Sequence, residues 1–186
     1  MRALLAAIAL LLVPLSASAR FHLWDITEVY SNADGSVQFI ELAVNADLED
    51  LLGGKVLASG TTNFTFPSNI PTTSTANHHL LIATPAFASQ PGAVTPDYTF
   101  AAANFMSTAA DTINFAAVDT FAFTAGQLPT NGVDSLNEPF GSNVRTTATN
   151  SPTNFAGQVG QLPEPSGWLG LLAGSGFLIG LARRRS

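Results

Sequence analysis

The chain has 186 residues, no cysteine, 11% charged side chains and a formal net charge of −6. That acidic balance argues against nucleic acid as a partner, because binding it depends on neutralising phosphates with lysine and arginine. Without cysteine no disulfide can staple the fold, so stability has to come from packing.

In chain order, the first element is a leader. Met1-Arg2 precedes an apolar run over residues 3–15 and then Ala17-Ser18-Ala19. Charged, apolar and small-residue regions in that order mark a secretory signal peptide, with Ala17 and Ala19 forming the A-x-A cleavage site. A buried helix is the alternative, but the segment starts at residue 1 and ends in A-x-A. With this leader and the C-terminal tail set aside, some 140 residues remain, enough for one domain. Losing Arg2, Arg183, Arg184, Arg185 and Glu164 leaves three basic residues against twelve acids, a net charge of −9.

The middle is rich in Thr, Phe, Val, Asn and Gly and lacks long helical periodicity. Residues 21–30 read as a first strand, with Leu23, Asp25, Thr27 and Val29 alternating against Trp24, Ile26, Glu28 and Tyr30. Asp34-Gly35 supplies the positive φ of a tight hairpin turn. Residues 37–44 return as a second strand, with Val37, Phe39, Glu41 and Ala43 on one face. Shorter strands follow over residues 55–59, 63–66, 79–83, 98–101, 112–115 and 118–123, separated by turn signals that indicate a sandwich or barrel. Residues 101–105 can also form a helical turn. From 138 to 161 the chain is rich in Thr, Asn, Ser, Pro and Gly, which reads as a flexible spacer.

The opening strands, Ile26-Thr27-Glu28-Val29-Tyr30 and then Phe39-Ile40-Glu41-Leu42, resemble the first hairpin of lamin-tail-like domains, with Phe39 where that family has tryptophan. The Leu52-Gly53 turn, Phe64-Thr65-Phe66-Pro67, the 79–83 strand and Asp111-Thr112-Ile113-Asn114-Phe115 follow in the family's order. The resemblance covers roughly residues 22–137 and implies an all-β, immunoglobulin-like β-sandwich.

The tail begins at Leu162-Pro163-Glu164-Pro165-Ser166. An apolar run over residues 168–182 follows, then Arg183, Arg184 and Arg185 before Ser186. Fifteen residues make about 22 Å of helix at about 1.5 Å each, against a hydrocarbon core of about 30 Å. The run is a marginal transmembrane helix, suited to temporary retention. The arginines place the stop on the cytoplasmic side and the domain outside. An uncleaved single-span anchor is the plain alternative. The order and spacing resemble the PEP-CTERM sorting signal of Gram-negative bacteria, with Pro163, Glu164 and Pro165 as the sorting motif. The resemblance implies an exosortase as partner, transient residence in the inner membrane, then release or attachment at the cell surface. It also implies a setting of exopolysaccharide and biofilm, with extracellular polysaccharide as a further partner.

Chemistry is sparse. His78-His79 is adjacent on a strand and so points to opposite faces, a poor zinc pair. Glu28 and Glu41 lie on facing strands, and paired carboxylates can act as acid and base, although the lamin-tail resemblance gives both a structural position. Asp47, Glu49 and Asp50 form a loop cluster of hard oxygen ligands suited to weak calcium binding, or simply a solvated charge group. No G-x-S-x-G elbow is present. The expectation is a non-enzymatic exported protein without a cofactor, adhesive or structural in role. The alternatives are a small secreted hydrolase, or a carbohydrate-binding module using Trp24 and Tyr30.

Overall fold

A computed structural model describes residues 20–60 and 62–163. Ala17 and Ala19, Glu164 and Pro165, the 168–182 run and Arg183, Arg184 and Arg185 lie outside the described residues. Among the described residues no helix is long and apolar enough to cross a membrane.

The chain is all-β. Its strands are β1 (Asp25–Ser31), β2 (Gln38–Val44), β3 (Val56–Ser59), β4 (Thr62–Thr65), β5 (His78–Ala83), β6 (Tyr98–Thr99), β7 (Asp111–Phe115), β8 (Asp119–Phe123), β9 (Asp134–Asn137) and β10 (Thr146–Thr149). They form a six-stranded sheet in the order β10-β9-β1-β2-β5-β6 and a four-stranded sheet in the order β4-β3-β7-β8. Their facing sides share one apolar core, the two-layer arrangement of a β-sandwich. Ile26, Val29, Ile40, Leu42, Leu80 and Ile82 enter it from the larger sheet. Leu57, Ile113, Phe115, Phe121 and Phe123 enter it from the smaller one.

The opening hairpin forms, but through a loop over residues 32–37 rather than a tight two-residue turn, closed by the Asn32 amide donating to Val37 O at 3.0 Å. Gly35 has φ 72°, and Asp34 Oδ1 accepts from the amide of Ser36 at 2.9 Å. Strict alternation along β1 does not hold, however. The β1–β2 register slips between Ile26 and Glu28, so Thr27 is a bulge residue. The bulge lets Trp24, Ile26 and Val29 all enter the inner core and turns Glu28 and Tyr30 to the outer face.

Every residue of β2 is buried, so the larger sheet is covered on both sides. The outer cover is a second apolar cluster of Tyr30, Val37, Phe39, Leu81, Ala83, Phe87 and Leu162. Residues 101–105 form no helical turn; Phe105 instead stacks on Phe100 with centroids 3.9 Å apart. A short 3-10 turn lies at Phe87–Ser89.

The 138–161 stretch is not a free spacer. β10 pairs with β9 from Thr146↔Asn137 to Thr149↔Asp134, adding an edge strand to the larger sheet. Beyond it the chain folds over the outer face as a two-legged flap. An outbound leg runs over 150–155, a turn lies at 154–157, and a return leg reaches Leu162. Thr153 bridges Val159, and the amide of Gly160 donates to Pro152 O at 2.8 Å. Polar composition does not prevent this order, because backbone amides make most of the contacts.

Candidate functional site

Strands β1, β2 and β5 lie side by side, and their outward residues bring three ionisable groups together. Glu28 pairs directly opposite Glu41, and His79 lies opposite Ala43 one step along on the same face. They line a cleft of about 500 Å³, closed by Asn45, Asn77, Phe140 and the flap residues Ser151 and Thr153.

Glu28 is buried. Its Oε1 accepts from Ser135 Oγ at 2.6 Å and from the Ser151 amide at 2.9 Å, while Oε2 accepts from Ser151 Oγ at 3.0 Å. Burial pushes its carboxyl above the ordinary range, aided by the Glu41 charge and opposed by these hydrogen bonds. Glu41 Oε1 lies 2.7 Å from His79 Nδ1, and its Oε2 accepts the Thr153 amide at 2.6 Å. The hydrogen bond to Glu41 raises the His79 pKa, with burial opposing it.

A third carboxylate completes a series. Asp97, immediately before β6 and beside Leu81 of β5, accepts the amides of Leu81 at 2.8 Å and Phe155 at 2.9 Å through Oδ2. Burial raises its carboxyl as well. Alternate amides of the flap at 151, 153 and 155 therefore each meet a carboxylate of the sheet: Glu28, then Glu41, then Asp97. In an extended leg every second N–H points the same way, which makes this spacing a natural docking pattern. Charge-assisted bonds of this kind are about twice as strong as neutral ones.

The arrangement is rich in acceptors already filled. Glu41 orients His79, as a carboxylate orients an imidazole base, but the neighbouring hydroxyls are engaged. Ser151 Oγ donates to Glu28, and Thr153 Oγ1 donates to Ser151 O at 3.0 Å. Hydrogen-bonding side chains and the half-exposed Phe140 ring line the cleft together.

No known protein family, curated protein or solved structure matches this chain.

The loop acids separate in space. Asp47 Oδ1 accepts the amides of Thr75 and Ala76, both at 3.0 Å. Glu49 Oε2 accepts the Leu23 amide at 3.2 Å, and its Oε1 lies 3.6 Å from His22 Nδ1. Asp50 is ion-paired with Arg20. Asp47 fastens the turn at 75–76 while Glu49 and Asp50 both fasten the 20–23 segment, and among the described residues no group of three acidic or histidine side chains is placed to hold a metal. Asp47, Glu49 and Asp50, read from the sequence as weak calcium ligands, are thus not gathered at one point among the described residues.

His78 and His79 do point apart. His78 stacks on Phe155 with centroids 4.4 Å apart, while His79 turns to Glu41. Trp24 and Tyr30 are not stacking platforms, since both are buried. Trp24 Nε1 donates to Glu49 O at 2.7 Å, and Tyr30 OH donates to Gly132 O at 3.0 Å. Burial pushes the Tyr30 hydroxyl up to about 12.

Pro163 is exposed where the described chain ends. Sequence reasoning missed Asp97, Phe140 and the flap. The one available signal was the alternation Ser151-x-Thr153-x-Phe155, which matches an extended leg facing a surface.

Proposed function

We propose that this chain is an exported, non-enzymatic protein of the cell envelope or extracellular matrix, sorted through its C-terminal tail. The tail is handled as a PEP-CTERM signal by an exosortase, and the β-sandwich serves an adhesive or structural role among extracellular polysaccharides. The observation that carries this reading is the position of the motif directly after the last buried residue described. Leu162 is buried in the outer cluster, and Pro163-Glu164-Pro165 follows at once. Pro163, the first residue of the motif, is exposed, as a sequence that another protein reads has to be. The saturation of Glu28 and Glu41 by flap donors adds support, because it assigns the best acid–base candidates to holding structure.

Within the two-sheet architecture, an immunoglobulin-like sandwich of the lamin-tail kind is the finer reading. Its support is the Ile26 to Tyr30 and Phe39 to Leu42 hairpin at the centre of the larger sheet.

Replacing Glu164 and Pro165 by alanine is expected to leave the full-length form in the membrane of the producing cell. An identical mature mass for variant and parent, read by intact mass spectrometry, overturns the sorting reading.

A further inference from the structure

The last described residues are held more tightly than a linker to a processing signal requires. Leu162 donates its amide to Asn150 Oδ1 at 2.7 Å and accepts Asn150 Nδ2 on its carbonyl at 3.1 Å. One buried side-chain amide thus takes both backbone groups of one residue. Asn150 is itself fixed, donating to Val133 O at 2.6 Å.

One residue upstream, the Gln161 amide donates to Gly92 O at 3.0 Å. This approach depends on two glycines. A Cβ on Gly92 would stand 2.0 Å from Gln161 O, and one on Gly160 would stand 2.6 Å from Gly92 O. The Leu162 side chain then sits among Tyr30, Phe39, Leu81 and Phe87. The amide clamp, the glycine cradle and the apolar socket all act on residues 160–162, and none reaches Pro163.

We propose that this clamp sets the upstream limit of tail processing: the folded domain withholds every bond up to Leu162, so the cut falls at or beyond Pro163. This rests on the sorting reading above. A cleaving enzyme binds its substrate extended, with backbone groups free to pair with its own, and a backbone already bonded and buried is not available to it. With no slack between clamp and motif, the enzyme has to meet the domain at the pole around Pro163, where Asn32, Gln90 and Gly132 border a recess of about 170 Å³. Asn150 and Gly92 are positioning residues in this scheme, since neither touches the bond that is cut.

Two measurements test it. In cells containing the sorting enzyme, the C-terminal peptide of the mature chain is sequenced by mass spectrometry. The expected peptide retains Leu162, and a mature C-terminus upstream of Leu162 overturns the proposal. Separately, the purified full-length chain is treated with a broad-specificity protease. Wild type is expected to resist cutting across 158–162. Asn150→Ala and Gly92→Ala are each expected to be cut there about tenfold faster, the change in local opening that losing one such bond brings. Gly92→Ala acts on the return leg and on its own turn at φ 74° without touching Asn150, so it serves if Asn150→Ala fails to fold. Equal cutting of wild type and Gly92→Ala across 158–162 overturns the clamp. A chain protected in the tube but never shortened at its C-terminus in cells overturns the sorting reading, and the processing limit with it, leaving the clamp as a structural feature.

Discussion

Glu41 binds His79 through one oxygen and the Thr153 amide through the other, joining sheet and flap at a single side chain. This has a consequence for pH. His79 holds its proton more firmly folded than unfolded, so its stabilising share is complete below the ordinary 6.5 and is lost as pH rises through the raised folded value. Glu28 and Asp97 shift in the same sense. Their contributions are complete below the ordinary 4.5 and 3.8 and are lost as pH rises through their raised values. All three favour the fold on the acid side. The melting temperature is therefore expected to fall between about pH 6 and about pH 8, where an imidazole titrates. Glu41→Gln should flatten that slope by removing the partner that raises His79. It should also cost about 1–3 kcal/mol through weakened bonds at a buried site. Circular-dichroism melts across this range check both, and parallel slopes for variant and parent would refute the assignment.

At the scale of elements, the flap is held by its backbone, which gives a sharp contrast between two substitutions. Thr153→Pro removes the amide that Glu41 accepts and should cost about 1–3 kcal/mol, as for a buried acceptor left unmet. That corresponds to roughly 2–4 °C of melting temperature per kcal/mol for a chain of this size. Thr153→Ala keeps the amide, loses only a hydroxyl bond to Ser151 O, and should cost under about 1 kcal/mol. Equal melting temperatures for the two variants would show that the amide does not hold the flap. The same fact explains what was legible in the sequence. The β1–β2 hairpin announces itself through Asp34-Gly35 and alternating apolar residues, because side chains carry that signal. Strands β3, β5, β7 and β8 were readable for the same reason. The 150–162 flap carries its signal in amides that every residue except proline possesses, so Thr, Asn and Gly there read as a spacer. The Thr27 bulge was hidden because a register slip leaves no mark on composition. Glu28 and Glu41 were identified as neighbours, but their use was not, since it depends on a segment over a hundred residues away in the chain.

For the whole molecule, the larger sheet needs a cover on both sides, and the outer one is shared between the segment around Phe87, Ala93 and Val94 and the end of the domain at Leu162. A chain stopped at residue 137 keeps β1 to β9 and loses the rest. The outer cluster of Tyr30, Phe39, Leu81, Ala83 and Phe87 then loses Leu162, and β9 becomes an open edge. Glu28, Glu41 and Asp97 lose the amides of Ser151, Thr153 and Phe155. Each lost bond is worth on the order of 1–3 kcal/mol at a buried carboxylate, and removing a buried leucine side chain costs about 2–5 kcal/mol. Domains are stable by only about 5–15 kcal/mol in total, so these losses together reach the scale of the whole. The fragment 20–163 is expected to unfold in one cooperative transition. The fragment 20–137 should show no such transition, and it should bind a hydrophobic dye through the uncovered face. Matching transitions for the two fragments would mean that the sandwich stands without its flap, and that residues 138–161 are a spacer after all.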